Sequence, residues 1–411
     1  MLANIAWQFS QLFSNKEFLS FGKLRAGFGQ VGVQPSPYNT ATYYTAGGFA
    51  DGWGSQLLSG AYGNGGYVQS TTLGNAYLKP ERKTEIEFGT DLRFFSDRVS
   101  LGATYFTNKT ADAILSVATA ASTGFSSKTA NAAEIKNHGL EFDLGAEVLK
   151  IGDFTWKING NWSMYRNKVT NLAGTSSLFL AGFAGTSSRA VEGHPLGVLW
   201  GIDWMKDSNG NLVLDEKGYP QAAQNESVIG NPNPDWKAAL GNTFSFKGFS
   251  LYVLMERTQG GDIWAGTHGI LDNFGRSYNT DVQTTVSAAE AALIPVYGTF
   301  TGSPGNTTIA SRYRPNADGS YTFRGTVEDF GKGGVALDQG WYTSTGGGFG
   351  PVASQFIKKA TNTRIREITL SYSLATPAFK QATKLSSIDF SLTGRNLLIW
   401  GPDVRYIGTD P

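Results

Sequence analysis

The sequence has no cysteine, three histidines and four methionines in 411 residues. Without cysteine there is no disulfide framework, no thiolate metal site and no cysteine nucleophile. Charge is also scarce: Asp, Glu, Lys and Arg make 16 % of the chain, against about 25 % in ordinary domains. The 34 Lys+Arg and 33 Asp+Glu nearly cancel, to a net charge of +1. That balance offers no basic excess for a phosphate backbone, so nucleic acid is not an expected partner. No apolar run approaches the about 20 residues of a membrane-spanning helix. Met1 leads straight into LANIAWQFSQ, with neither a basic start nor an apolar core and cleavage site, so no signal peptide is expected within this sequence.

What is abundant is glycine (52 residues) and aromatics (26 Phe, 17 Tyr, 10 Trp). The aromatics exclude general disorder. The length allows two or three soluble domains or one large one. Low charge with many glycines and aromatics suits an all-β chain with many turns, a membrane β-barrel included.

Period-2 alternation is the clearest pattern. In 84–94, Ile86, Phe88, Leu92 and Phe94 fall on one face, and Glu85, Glu87, Gly89, Asp91 and Arg93 on the other. After the turn at Ser96–Arg98, Val99, Leu101, Ala103 and Tyr105 resume the apolar face, which predicts a hairpin. The unit recurs at Leu140–Val148 with Phe154–Ser163, at Trp236–Phe246 with Phe249–Arg257, and at Arg364–Leu374 with Leu385–Leu398. A first pair is read at Ala3–Ser10 and Phe21–Gln30, giving ten strands in five hairpins. Links within hairpins are short. Those between them are long: 33–82, 110–134, 171–234 and 265–362. Loops beyond about 15 residues are uncommon in compact soluble domains, whereas outer-membrane barrels alternate short periplasmic turns with long outer loops. An 11-residue strand such as 84–94 is about 36 Å long and, tilted by about 45°, crosses about 26 Å, close to the apolar band of such barrels.

The segments FGKLRAGFGQVG (21–32), LKPERKTEIEFGTDLRFF (78–95), EIKNHGLEFDLGAEV (134–148) with FTWKINGNWSMYRNKV (154–169), VIGNPNPDWKAALGNTFSFKGFSL (228–251), and RIREITLSYSLA (364–375) with SIDFSLTGRNLLIW (387–400) resemble the C-terminal part of SusC/RagA-type TonB-dependent outer-membrane transporters. The resemblance implies an all-β fold, part of a 22-stranded antiparallel transmembrane barrel. It also implies an N-terminal plug and TonB box, energy from the TonB complex, a SusD-like surface lipoprotein as lid, and a glycan oligomer or peptide as cargo. Residues 1–411 are thus expected to be a partial barrel domain truncated at both ends, without plug or final aromatic-ended strand. Expressed alone, ten strands are expected neither to close a barrel nor to transport.

The chemical candidates are few. His138, His194 and His268 show no i,i+4 pair and no carboxylate spacing of a metal site. No nucleophile elbow, Walker loop or dinucleotide fingerprint is present. Asp207, Asn209, Asn211 and Asp215 resemble the start of a calcium loop, but Leu212 and Gly218 stand where an EF-hand needs Gly and Glu. The competing reading is an Asn-Gly turn of a hairpin. Gly230–Trp236 (GNPNPDW) reads as a rigid entry into the next strand, with Trp236 at the membrane interface. The acidic and basic residues alternating on the strands (Glu85, Glu87, Asp91, Arg93, Glu141, Asp143, Glu147, Lys157, Asp389, Arg395) read as a wet lumen wall rather than a glycosidase carboxylate pair.

Loop aromatics are the ligand candidates, because sugar CH faces stack on aromatic rings: Trp53, Tyr62, Tyr67, Trp200, Trp264 and Trp341, with Trp204 and Tyr342. Their competing role is loop–loop packing and contact with the lid lipoprotein. The expectation is a non-enzymatic, TonB-dependent importer in the outer membrane of a Gram-negative bacterium. It has no cofactor beyond the calcium candidate, and its partners are the SusD-like lipoprotein, the TonB complex and outer-membrane lipid. The alternatives are a surface or secreted all-β glycan-binding or adhesive protein and, more remotely, a soluble β-sandwich carbohydrate enzyme.

Overall fold

The computed structural model describes residues 1–50, 55–57, 66–298 and 307–404. Ten antiparallel strands run as one meander: β1 (Leu2–Trp7), β2 (Leu19–Val33), β3 (Glu81–Phe94), β4 (Val99–Ala118), β5 (Ser127–Ile151), β6 (Phe154–Asn171), β7 (Pro234–Phe246), β8 (Phe249–Gly260), β9 (Asn362–Leu374) and β10 (Ile388–Trp400). Each pairs with the next along the chain. The five hairpins are those the alternation predicts.

One boundary differs. The link expected over 110–134 shrinks to 119–126, because β4 runs for 20 residues and β5 for 25. Alternation fades there because the extra length lies beyond the apolar band. On that stretch Ala113, Ala132 and Ala133 bury themselves against Val169 at the end of β6 and Leu172, Leu178 and Ala190 of the following connection, so one face is covered by protein instead of lipid. Thr72–Leu73 adds a short parallel pairing to Ser127–Lys128.

Directly opposed residues share a face of the sheet, so register assigns the two sides. Gly27, Glu87 and Phe106 form one rung, as do Asp91 and Gly102, and Gly102, Asp143 and Asn161. This is the polar side. The other side carries Phe88, Tyr105, Leu140 and Met164 in register, then Ala103, Phe142 and Trp162. Phe88 is 56 % exposed and Leu392 76 %. Such open apolar area is costly in water and is what a lipid-facing wall presents.

The two ends differ in chemistry. The short turns gather at one end, where Phe154, Phe246, Phe249, Tyr372 and Phe390 form a continuous opposed row across β6–β10. Phe18 packs edge-on against Phe94 and Phe95 at the same end. Rings at this level are the aromatic girdle of a membrane barrel. The β7–β8 turn is only Lys247-Gly248, both at positive φ (46° and 86°), the geometry whose twist matches paired strands and which glycine adopts without penalty. The other end carries the connections 34–80, 119–126, 172–233 and 261–361. In 172–233, Ser177–Phe183, Thr186–Val191, Val198–Gly201 and Ser227–Gly230 form a four-stranded sheet. In 261–361, short helices and strand pairs surround two compact cores. Among the described residues no helix is long and apolar enough to cross a membrane.

Candidate functional site: lumen wall and loop body

The polar face of β2–β6 carries two bonded clusters. The Arg25 guanidinium donates to Glu87 Oε1 at 2.8 Å and to Thr104 Oγ1 at 2.6 Å, and its Nε lies 3.6 Å from Asp91, which Lys23 also approaches at 3.6 Å. Further along, Tyr165 donates to Asn137 (2.6 Å), Asn137 to Asn108 (2.5 Å) and Asn108 to Glu85 (3.1 Å). A groove of about 610 Å³ runs over this wall, lined by Lys23, Arg25, Asp91, Arg93, Asp143 and Asn161. The ion-pair side chains are 34–40 % exposed, so each pair contributes at most about 1 kcal/mol. Such a wall can exchange its partners for those of another surface or a passing solute at little cost.

At the long-loop end, two connections lock into one body. Tyr219, fully buried, donates its hydroxyl to the carbonyls of Ala336 (2.7 Å) and Pro295 (3.1 Å). Burial and the Asp338 carboxylate push that hydroxyl far above the ordinary tyrosine range, so it is a fixed donor. Trp341 lies stacked between Trp204 (6.0 Å, 7° between planes) and Tyr219 (5.5 Å, 21°), with Tyr297 edge-on at 5.2 Å. Ser354 donates to Asp203 at 2.5 Å, and Ala353 N–H to the Ile202 carbonyl at 3.0 Å. Burial raises the Asp203 carboxyl, but the hydrogen bonds from Ser354, Lys206 and the Trp204 amide outweigh it and hold the group below its ordinary range.

Behind the aromatic stack, Asp338 is fully buried and accepts from Arg312 (2.8 Å), the Tyr313 hydroxyl (2.8 Å) and the Gly340 amide (3.0 Å). A cavity of about 510 Å³ opens beside it, lined by Asp272, Phe274, Thr280, Tyr313, Arg324 and Tyr342. Burial and the nearby Asp272 push the Tyr342 hydroxyl up to about 12, so it stays neutral. Arg324 is already committed to the carbonyls of Thr280 and Gly275.

The ligand candidates separate in this structure. Trp341 is only 5 % exposed and belongs to the packed core of the loop body. Trp204 is half-buried against it. Trp200 is half-buried, held by Glu226 (Nε1 to Oε2, 2.8 Å) and covered by Arg189 at 5.3 Å. Trp264 is half-buried, edge-on to Phe183. Tyr67 is 75 % exposed. Trp53 and Tyr62 lie outside the described residues.

Asp207 accepts from the amides of Asn209 (2.8 Å) and Asn211 (2.9 Å), and Asp215 from those of Lys217 and Tyr219 (2.9 Å each). Each carboxylate therefore caps its own tight turn, and the Asn211 contacts lower the Asp207 carboxyl. Asn211 is held by its Nδ2, which donates to Asp207 Oδ2 at 3.2 Å. Among the described residues no three His, Cys, Asp or Glu side chains are grouped to hold a metal.

One histidine reading needs correction. His268 does have a carboxylate at i+4: Asp272, on the same face of the helix Gly266–Asn273, at 3.4 Å. Burial lowers the imidazole and raises the carboxyl, and Ser277 donates to Asp272. Spacing alone carried that signal, but the GTHGILDN segment has no amphipathic pattern strong enough to mark a helix.

A meander with an apolar outer face, a charged inner face, an aromatic rim at the tight turns and folded loops at the other end is the wall of an outer-membrane-type β-barrel. The family model described as TonB dependent receptor-like, beta-barrel, matches residues 3–329. The chain belongs to this family. It is 25 % identical over 286 residues to the TonB-dependent receptor P3 of Formosa agariphila, covering 63 % of this chain and 28 % of that protein. It is 26 % identical over 190 residues to the TonB-dependent receptor SusC of Bacteroides thetaiotaomicron, covering 43 % of this chain and 19 % of that protein. The matched regions thus span less than a third of these relatives' length. The RagAB peptide importer in its closed-closed state superposes with a TM-score of 0.65 at 17 % identity, over 98 % of this chain and 40 % of that one, a likeness of fold.

Proposed function

We propose that this chain is barrel wall and outer loops of a transporter that imports a nutrient, a glycan oligosaccharide or a peptide, across the outer membrane of a Gram-negative bacterium. In this reading residues 1–411 are part of one barrel domain. A plug elsewhere in the protein seats against the lumen wall of β2–β6, the TonB complex moves the plug, and a SusD-like lipoprotein covers the loop body. No covalent chemistry is assigned to any residue. The observation that carries the reading is the half-exposed ion-pair wall of Lys23, Arg25, Glu87 and Asp91, backed by an apolar outer face. Weak, exchangeable pairs on a lumen wall let a plug be held and released without unfolding the sheet. The fold likeness to the RagAB peptide importer supports the peptide arm of this reading.

The test uses cells carrying the full-length gene. Fluorescent pools of short peptides and of glycan oligosaccharides are offered separately, with the gene deleted or TonB depleted. Uptake of one pool that needs both genes is the expected result. Binding at the cell surface that persists without TonB, with no uptake, refutes import and leaves the adhesive alternative.

A further inference from the structure

The outward face of β4–β6 carries an arrangement that neither lumen nor loops explain. Lys109, Lys136 and Lys168 are directly opposed across three neighbouring strands, and all three are exposed. The next rung toward the tight turns is Thr107, His138 and Arg166, and the rung after that is apolar: Tyr105, Leu140 and Met164. Like charges opposed on one face of a sheet repel. Local carboxylates relieve only part of this. Glu134 takes Lys109 at 2.6 Å, Asp235 takes Arg166 at 3.2 Å, and Asp112 lies 3.8 Å from Arg82. Among the described residues Lys136 and Lys168 make no ion pair within 4 Å, and Lys136 feels only the longer-range field of Glu134, which is already bonded to Lys109.

Depth supplies the second observation. Ten residues separate Val99, beside the Phe94–Phe95 rim, from Lys109. That is about 33 Å of strand and about 23 Å of height at a tilt of about 45°, against an apolar band of about 25 Å. The lysine row therefore stands where hydrocarbon gives way to headgroups, at the long-loop end.

We propose that Lys136 and Lys168, flanked by Lys109, form a binding site for the phosphate of a lipid headgroup in the outer leaflet. The phosphate supplies the missing counter-charge while the acyl chains lie on the apolar rungs below. This inference rests on the outer-membrane reading above.

The test is native mass spectrometry of the full-length protein in detergent, titrated separately with phosphatidic acid, phosphatidylcholine and inorganic phosphate. Heat-shifted gel mobility of the same sample reports on the barrel reading independently of the site. Phosphatidic acid is expected to bind in preference to phosphatidylcholine. The double variant Lys136→Gln/Lys168→Gln is expected to weaken phosphatidic acid about 30-fold, from about 1 kcal/mol per lysine near an anionic surface and about 1.4 kcal/mol per tenfold, with phosphatidylcholine unchanged. Lys136→Arg/Lys168→Arg should keep the preference. Equal binding of the two lipids to the unmodified protein, or equal loss of both in the Gln variant, overturns the site. Inorganic phosphate displacing phosphatidic acid at comparable concentration assigns the row to a soluble anion and overturns the headgroup assignment.

Discussion

Truncating Trp341 to alanine separates packing from ligand contact in the loop body. The indole is 5 % exposed, stacked between Trp204 and Tyr219 and edged by Tyr297. The Gly346–Gly348 run wraps it: a methyl on Gly346 would collide with the indole, and one on Gly348 with the Gly269 backbone, whose carbonyl the Gly348 amide meets at 2.8 Å. Removing a buried Trp costs about 3–5 kcal/mol when its surroundings cannot collapse. A framework tied down by Tyr219 to Ala336 and by Arg312 to Asp338 has little freedom to do so. At about 4 kcal/mol, local opening rises roughly 700-fold. Hydrogen exchange on the full-length protein reads this directly. The amides of Ala336, Tyr342 and Gly346, bonded to Pro295, Asp338 and Trp341 carbonyls, should lose about that factor of protection, while amides of β3–β6 keep theirs. Unchanged protection at those three amides, together with weakened cargo binding, would refute the packing assignment and return Trp341 to the ligand surface.

Replacing Asp338 by alanine leaves the Arg312 guanidinium, 2 % exposed, without its carboxylate, and breaking a buried pair costs about 3–5 kcal/mol. Limited proteolysis should then cut within 261–361 far faster than in the parent. Arg312→Met combined with Asp338→Leu should recover much of the resistance, and a single variant as resistant as the parent contradicts the assignment. Acid should loosen the contact between the two loops. The Asp203 carboxyl is held below its ordinary 3.8, so its contribution is present above that value and lost as pH falls through the lower folded value. Protection factors of the Ala353 and Ser354 amides, taken against the intrinsic exchange rate at each pH, should fall between pH 5 and pH 3 in the parent and change less in Asp203→Asn. Equal pH dependence in both would remove Asp203 as the cause.

How much was legible in advance follows from which interactions have a period. Glu85–Phe94 announces its strand and its two faces because lipid and lumen demand opposite chemistries at alternate positions. The hairpins, the lumen charges and the family resemblance were therefore readable along the chain. The outer halves of β4 and β5 were not, because Ala113, Ala132 and Ala133 face other protein there and the alternation lapses. The loop aromatics were visible as residues but not as roles. Whether Trp341 meets a sugar or Tyr219 depends on contacts between 204–219 and 295–341, segments about a hundred residues apart, and no local pattern encodes such a contact. The same holds for the lysine row: Lys109, Lys136 and Lys168 are unremarkable one at a time, and only the register of three strands opposes them. The sequence by itself determined the strands, their faces and the class of wall they build, because those follow from neighbours two residues apart. The tertiary structure alone decided which rings are core and which charges stand unrelieved on the lipid side, because those depend on distances between segments that the chain order does not contain.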